Sequence, residues 1–233
     1  MSGLAPTEFD RYGDSYEAAV DDAIGFAGQE HGFYVDAKAR RLLELSRRRL
    51  GRADVAALDV GCGPGLTDVR VLPHLGSLHG VDVSAPMVER ARKANPSASY
   101  EVYDGRRLPF DDGRFDLTFA ICVLHHVERP DRPGLVAELG RVTRPDGLVA
   151  VFEHNPLNPL TRHVVRTCEF DKGVELLGRR ELAGLLDDAG LELVDTEYLL
   201  FFPWRGRPFA ALERALRSVP LGAQYVVAGR PSA

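Results

Sequence analysis

Residues 57–68 read Ala-Leu-Asp-Val-Gly-Cys-Gly-Pro-Gly-Leu-Thr-Asp, an apolar run that ends in glycines at alternate positions. Glycine has no Cβ, so its backbone adopts positive φ and approaches a ligand more closely than other residues allow. The helical pattern that follows places free backbone N–H groups at the same point. The stretch therefore predicts a strand, a nucleotide-binding loop made by Gly61, Gly63 and Gly65, and then a helix.

The spacing of the glycines distinguishes between cofactors. A dinucleotide fingerprint has glycines at the first, third and sixth positions of the loop. Here the last glycine is at the fifth position and Leu66 is at the sixth, which argues against a nicotinamide-dependent oxidoreductase. With Asp59 placed before the first glycine, the loop resembles motif I of the class I S-adenosylmethionine-dependent methyltransferases.

Later stretches resemble the same family, in order and at similar spacing. Asp82 ends the next apolar run, and the resemblance implies that it binds both ribose hydroxyls. Asp104 and Gly105 end a third run, where the family places an acid that accepts a hydrogen bond from the adenine amino group. Residues 108–116 and 141–147 resemble the segments that precede the family's fourth and fifth strands.

The resemblance covers residues 53–200 and implies an enzyme that moves a methyl group from S-adenosylmethionine to an acceptor. It implies a Rossmann-like α/β fold with a seven-stranded, mostly parallel sheet, helices on both faces and an antiparallel last strand. Three further residues are assigned to the cofactor pocket because they lie in the loop or just after a strand: Cys62, Val83 and Cys122.

The rest of the chain fits one such domain with additions. Apolar runs alternate with helical patterns from Val55 to Phe152, which produces a parallel sheet covered on both faces. We expect a helical N-terminal cap or lid over residues 1–52 and the cofactor-binding domain over 53–233, with insertions at 154–178 and 203–220. The second insertion contains a basic amphipathic helix, expected to pack on the domain, with a membrane-surface role as the alternative.

Composition disfavours several other classes of protein. The 233 residues include 29 Lys and Arg against 34 Asp and Glu, a formal charge of −5, which argues against nucleic acid as a main partner. The three cysteines show no zinc-ligand spacing, so no metal is expected. No apolar run has the roughly 18 residues of a membrane span, and polar residues follow Met1, so we expect a cytoplasmic protein. The oligomeric state stays open.

Methyl transfer requires an aligned acceptor, a dry site and often a base. The predicted fourth and fifth strands end at the same edge of the sheet, and His125, His126 and His154 lie there. Imidazole titrates near neutral pH, so each histidine is a candidate general base, with simple packing on the cofactor as the alternative. His125 and His126 are adjacent, so we expect at most one of them to face the acceptor.

An acceptor pocket is expected beside these histidines. Glu153 and Asn155 flank His154 and are assigned to acceptor binding, a structural role for Glu153 being the alternative. Four residues of the aromatic N-terminal segment are assigned to the same pocket: Tyr12, Tyr16, His31 and Tyr34. An aromatic pocket fits a hydrophobic or aromatic secondary metabolite. Three alternatives stay open: a sugar or lipid-linked acceptor, non-methylating chemistry such as that of a pericyclase or cyclase, and a protein that binds the cofactor without catalysis.

Overall fold

A computed structural model of the protein describes residues 31–168, 171, 173–204 and 206–232. The strands within these residues are β1 (Ala56–Val60), β2 (Ser77–Asp82), β3 (Ser99–Val102), β4 (Phe115–Ile121), β5 (Thr143–His154), β6 (Leu191–Leu199) and β7 (Gln224–Pro231). The α-helices are α1 (His31–Leu50), α2 (Asp68–Val71), α3 (Ala85–Ala94), α4 (Arg132–Val142), α5 (Pro159–Thr167), α6 (Arg179–Asp188) and α7 (Arg207–Leu216).

The strands form one seven-stranded sheet in the order β3-β2-β1-β4-β5-β7-β6. Strands β1 to β5 pair in parallel, whereas β7 runs antiparallel to both β5 and β6. These pairings confirm the predicted fold class, including the antiparallel last strand. The strand order reverses between β1 and β4, and ligands of such sheets bind in the crevice at the carboxyl ends of the strands there.

The sheet is buried on both faces, which explains why its central strands read as continuous apolar runs. In β5, Val149 and Val151 pack into the core beneath α4 and α6, while Leu148, Ala150 and Phe152 face the core beneath α1. All five side chains are fully buried. The site is therefore built on a rigid two-sided core.

Helix α1 precedes the first strand, and its Leu42, Leu43 and Leu45 side chains are buried in the core. Three of its arginines form ion pairs with acids of the sheet. Arg41 pairs with Glu197 at 2.5 Å, and Arg48 and Arg49 both pair with Asp195. Because these acids lie on β6, the ion pairs hold α1 against the edge of the sheet.

Two parts of the chain differ from the sequence-based expectation or lie outside the described residues. The helix after the glycine loop is short, because α2 ends at Val71 and a 3₁₀ turn containing Pro73 follows it. Residues 1–30 are outside the described residues, so the cap predicted over 1–52 is described only from His31 onward. Among the helices that are described, none has the length and apolar character needed to cross a bilayer.

Candidate active site

The three loop glycines all have positive φ, but for different physical reasons. A Cβ on Gly61 would lie 2.5 Å from Cγ2 of Val123, and a Cβ on Gly65 would lie 2.6 Å from Nδ2 of Asn95. A Cβ on Gly63 would meet no heavy atom within 4 Å. Gly61 and Gly65 are thus required by packing within the protein, whereas Gly63 borders open space where a ligand can approach the backbone.

Asp82 ties this loop to the end of β2. Its Oδ2 accepts a hydrogen bond from the backbone N–H of Gly63 at 2.8 Å, and its Oδ1 accepts one from Ser84 at 2.9 Å. Each carboxylate oxygen has a second lone pair that can accept from a hydroxyl. Asp82 therefore has the position and the acceptor capacity needed for a diol such as ribose.

Asp59 lies beneath the loop next to a second buried acid that we did not predict, Asp68. Burial, followed by the negative charge of Asp68, raises the pKa of Asp59 well above its usual range. The Tyr100 hydroxyl donates to Asp68 at 2.7 Å, and the Asp59 and Asp68 carboxyls share a further hydrogen bond. The raised pKa keeps a proton on Asp59, which can donate to Asp68, so this acid pair forms a buried support beneath the glycine loop.

The other residues assigned to the cofactor pocket lie around the same cleft. Cys62 is buried under the loop, and Gly105 packs close to Val83, since a Cβ on Gly105 would lie 3.2 Å from Cγ1 of Val83. Asp104 accepts hydrogen bonds from the backbone N–H groups of the two arginines that follow Gly105, and these bonds lower its pKa. Its predicted contact with an adenine stays a prediction.

A cavity of about 220 Å³ opens at the carboxyl ends of β4 and β5. One wall carries His125, His126 and His154, together with Cys122 from the turn after β4. Apolar side chains from α5 and from the segment after β6 form much of the rest: Leu160, Val164, Cys168, Leu200, Phe201, Phe202 and Pro203. His31 and Tyr34 also line the cavity, and their assignment to acceptor binding stays a prediction. Tyr12 and Tyr16 lie outside the described residues.

His125 is buried between two carboxylates. Its Nδ1 is 2.6 Å from Oε2 of Glu153, and its Nε2 is 3.5 Å from Oδ1 of Asp171. Burial alone would lower the pKa of His125, but Glu153 and Asp171 outweigh it and raise that pKa to about 10. His125 is therefore a cation at neutral pH and cannot accept a further proton.

His126 and His154 are shifted in the opposite direction. Burial, followed by the positive charge of His125, lowers the pKa of His126 to about 3 and that of His154 to about 4. Both imidazoles are neutral at pH 7 and can accept a proton. Nδ1 of His154 lies 3.3 Å from Nε2 of Gln224 on β7, a contact that orients the ring.

The expectation that only one of His125 and His126 faces the acceptor is wrong, because both line the cavity. The two residues lie in a 3₁₀ turn, Leu124–His126, and not at the end of a strand. Successive side chains in such a turn are about 120° apart instead of pointing to opposite faces. Their ring centroids are consequently only 4.1 Å apart.

Glu153 and Asn155 do not line the cavity, contrary to the assignment made from the sequence. Oε1 of Glu153 accepts from the backbone N–H of Leu124 at 2.7 Å, while Oε2 binds His125. The Asn155 amide donates to the carbonyls of Pro220 and Gly222, and its oxygen accepts from Leu157. Both side chains are buried by protein partners and position the turn after β4 and the loop after β5.

The wall of the cavity that carries the histidines also has a geometry suited to a metal ion. Ligand atoms of His125, His154 and Asp171 all lie within 4.8 Å of one another, which within the described part of the chain is the one such group. A protonated His125 offsets one of the two carboxylate charges it contacts, and a protonated imidazole cannot serve as a metal ligand.

Comparison with known proteins shows which family the domain that carries the glycine loop resembles. A family model described as a methyltransferase domain matches residues 57–147. The chain is 29% identical to 27-O-demethylrifamycin SV methyltransferase of Amycolatopsis mediterranei over 82% of this chain and 76% of that protein. It is 28% identical to O-methyltransferase resE of Aspergillus sclerotiorum over 78% of this chain and 75% of that protein.

A solved structure of a methyltransferase from Thermotoga maritima, a possible histamine N-methyltransferase, has the same fold. The two superpose with a TM-score of 0.69 at 21% identity, covering 98% of this chain and all of the other. These matches support a class I S-adenosylmethionine-dependent methyltransferase. The protein is a methyltransferase that uses S-adenosylmethionine as its cofactor. Two features of the cleft fit that cofactor: the open face of Gly63 and the carboxylate of Asp82 at the end of β2.

Replacing Asp82 with alanine is expected to weaken cofactor binding by about 1.5–3 kcal/mol, because hydrogen bonds to a charged carboxylate are lost. The loop would also lose the contact between Asp82 and the N–H of Gly63. Isothermal titration calorimetry with S-adenosylhomocysteine measures the change, and Asp112→Ala, an exposed acid outside the cleft, is the control. An unchanged affinity in folded Asp82→Ala protein would remove Asp82 from the cofactor site.

Proposed function

We propose that the protein methylates a hydroxyl or amine of a small organic molecule, of hydrophobic or aromatic character, bound in the cavity at the ends of β4 and β5. The observation that carries this proposal is the position of two neutral imidazoles, His126 and His154, in a largely apolar cavity beside the glycine loop. The two relatives support it, since one is named as a methyltransferase of 27-O-demethylrifamycin SV and the other as an O-methyltransferase.

The size and lining of the cavity limit the acceptor. Typical ligand pockets have volumes of about 300–1,000 Å³, and this one is near 220 Å³. It therefore fits an aromatic ring or one arm of a larger molecule. Aromatic side chains such as Tyr34, Phe201 and Phe202 line it, which favours an apolar group of that size over a sugar.

His154 is the general base in this proposal. The cofactor supplies an activated methyl group on a sulfonium that is a good leaving group, so the protein must align the acceptor and take its proton. Neutral His154 accepts that proton, because burial and then the nearby cation His125 lower its pKa and keep it from being protonated beforehand. Glu153 and Asp171 hold His125 in place and so act as positioning residues.

The test of the proposal is to fill the cavity. Val164 lines it from α5, so Val164→Trp is expected to abolish methylation of small phenols and amines while S-adenosylhomocysteine affinity stays unchanged. Leu157→Trp is the matched control, because Leu157 is 65% exposed and outside the cavity lining. Methylation is followed by mass spectrometry of the acceptor. Normal transfer by folded Val164→Trp protein would show that the acceptor binds elsewhere.

The pH dependence provides a separate test of the base. Because the pKa of His154 is lowered to about 4, kcat/KM is expected to stay level from pH 8 to about 6 and to fall only as the pH drops toward about 4. An ordinary imidazole would give a fall near pH 6.5. His125→Asn removes the neighbouring cation and should move the fall to higher pH. If the wild-type profile and the His125→Asn profile were identical, His154 would not be the titrating base.

A further inference from the structure

Lys38 on α1 is a buried cation that the sequence pattern did not single out. The residue is 7% exposed, and its Nζ lies 3.8 Å from Sγ of Cys122. That thiol is its single hydrogen-bond partner within the described residues, and no carboxylate among them lies within ion-pair distance of it. Burying an ammonium group without a counter-charge is costly, by several kcal/mol. The environment of Lys38 therefore favours the binding of an anion.

The position of Lys38 indicates which anion. Lys38 lines the acceptor cavity together with Cys122 and His154, and its charge also reaches Asp59 beneath the glycine loop, where it opposes the rise in pKa caused by burial and Asp68. Cys122 lies on the turn after β4, between the loop and the imidazoles. Lys38 is thus located where the cofactor cleft meets the acceptor cavity.

The chemistry of the cofactor matches this location. Its sulfonium carries an adenosyl group, the methyl group and an amino-acid chain that ends in a carboxylate. If the ribose binds Asp82 and the methyl group faces His154, the amino-acid chain must lie at the junction between the cleft and the cavity. A carboxylate there would supply the counter-charge that buried Lys38 lacks.

We propose that Lys38 binds the carboxylate of the methionine part of S-adenosylmethionine and so orients the methyl group toward the cavity. Lys38 is then a cofactor-binding residue contributed by the helix before the first strand. The proposal rests on the identity of the cofactor and does not depend on the acceptor. A carboxylate on the acceptor is less favoured, because Glu153 and Asp171 already surround the His125 cation and much of the remaining cavity lining is apolar.

The experiment compares two ligands that differ in the amino-acid chain. S-adenosylhomocysteine carries the carboxylate, whereas 5′-methylthioadenosine lacks both the carboxylate and the amino group. Calorimetry on the full chain compares Lys38→Met, which removes the charge but keeps the length, with Lys38→Arg, which keeps the charge. Lys93→Met is the control, since Lys93 is an exposed lysine on α3.

Lys38→Met is expected to weaken S-adenosylhomocysteine binding by about 10- to 100-fold, the range for a lost hydrogen bond to a charged group. Methylthioadenosine binding should change little, and Lys38→Arg should retain most of the affinity. Unchanged S-adenosylhomocysteine affinity in Lys38→Met, or an equal loss for both ligands, would overturn the proposal. A raised KM for an acidic acceptor with normal cofactor affinity would assign Lys38 to the acceptor instead. The calorimetric results do not depend on whether the proposed acceptor class is right.

Discussion

Gly63→Val is expected to abolish S-adenosylhomocysteine binding and methyl transfer while the far-UV circular dichroism spectrum stays native. The φ of Gly63 is 52°, and the space in front of its missing Cβ is open. A valine there would be strained at positive φ. Its branched side chain would also fill the space through which the cofactor approaches the backbone of the loop. Calorimetry with S-adenosylhomocysteine measures the loss.

Gly51→Val is the matched control for this variant. Gly51 directly follows α1 and has a φ of 66°, and its missing Cβ also has no heavy atom within 4 Å. Gly51 precedes β1, whereas the glycine loop follows that strand. The Gly51→Val variant therefore has a similar backbone strain without a steric effect on the cofactor. It should lose stability but keep its affinity for S-adenosylhomocysteine. Normal cofactor binding by Gly63→Val would refute the role assigned to the glycine loop.

His154→Ala is expected to lower kcat by about 10²–10⁴-fold and to leave cofactor affinity nearly unchanged, because it removes the base and not a cofactor contact. His126→Ala tests the other neutral imidazole of the cavity wall and should have a much smaller effect. His163→Ala is the control, since His163 is exposed on α5 and does not line the cavity. Single-turnover kinetics with preloaded cofactor separates the transfer step from binding.

Two outcomes would contradict the role of His154. Near-normal turnover of both His154→Ala and His126→Ala would leave alignment of the acceptor, without an imidazole base, as the mechanism. A loss of wild-type activity in EDTA that zinc restores would assign His125, His154 and Asp171 to a metal ion. We expect EDTA to have no effect on methyl transfer by the wild-type enzyme.

The cofactor cleft could be predicted from the sequence because its parts are local. The glycine loop and the acid at the end of β2 each lie at a strand end, and strand ends of a parallel sheet meet at one edge. The residues expected at those ends are close together in the structure, with Asp82 bonded to Gly63.

The acceptor side was less predictable because it depends on tertiary contacts. Lys38 and Gln224 are separated by most of the chain, yet both contact the Sγ of Cys122. The position of Glu153 beside His154 in the sequence suggests that it binds the acceptor. In the structure its side chain instead contacts His125. Single-sequence patterns contain no signal for such pairings between distant elements.

The most direct test of the central claim is mass spectrometry of the products formed with S-adenosylmethionine that carries a fully deuterated methyl group. Phenols, amines and hydroxylated polyketides serve as acceptors, and S-adenosylhomocysteine is quantified in the same reactions. The account predicts an acceptor product with one labelled methyl in place of one hydrogen, and one S-adenosylhomocysteine formed for each product. An acceptor converted without gaining the label, with no S-adenosylhomocysteine formed, would contradict the account and indicate non-methylating chemistry on the same fold.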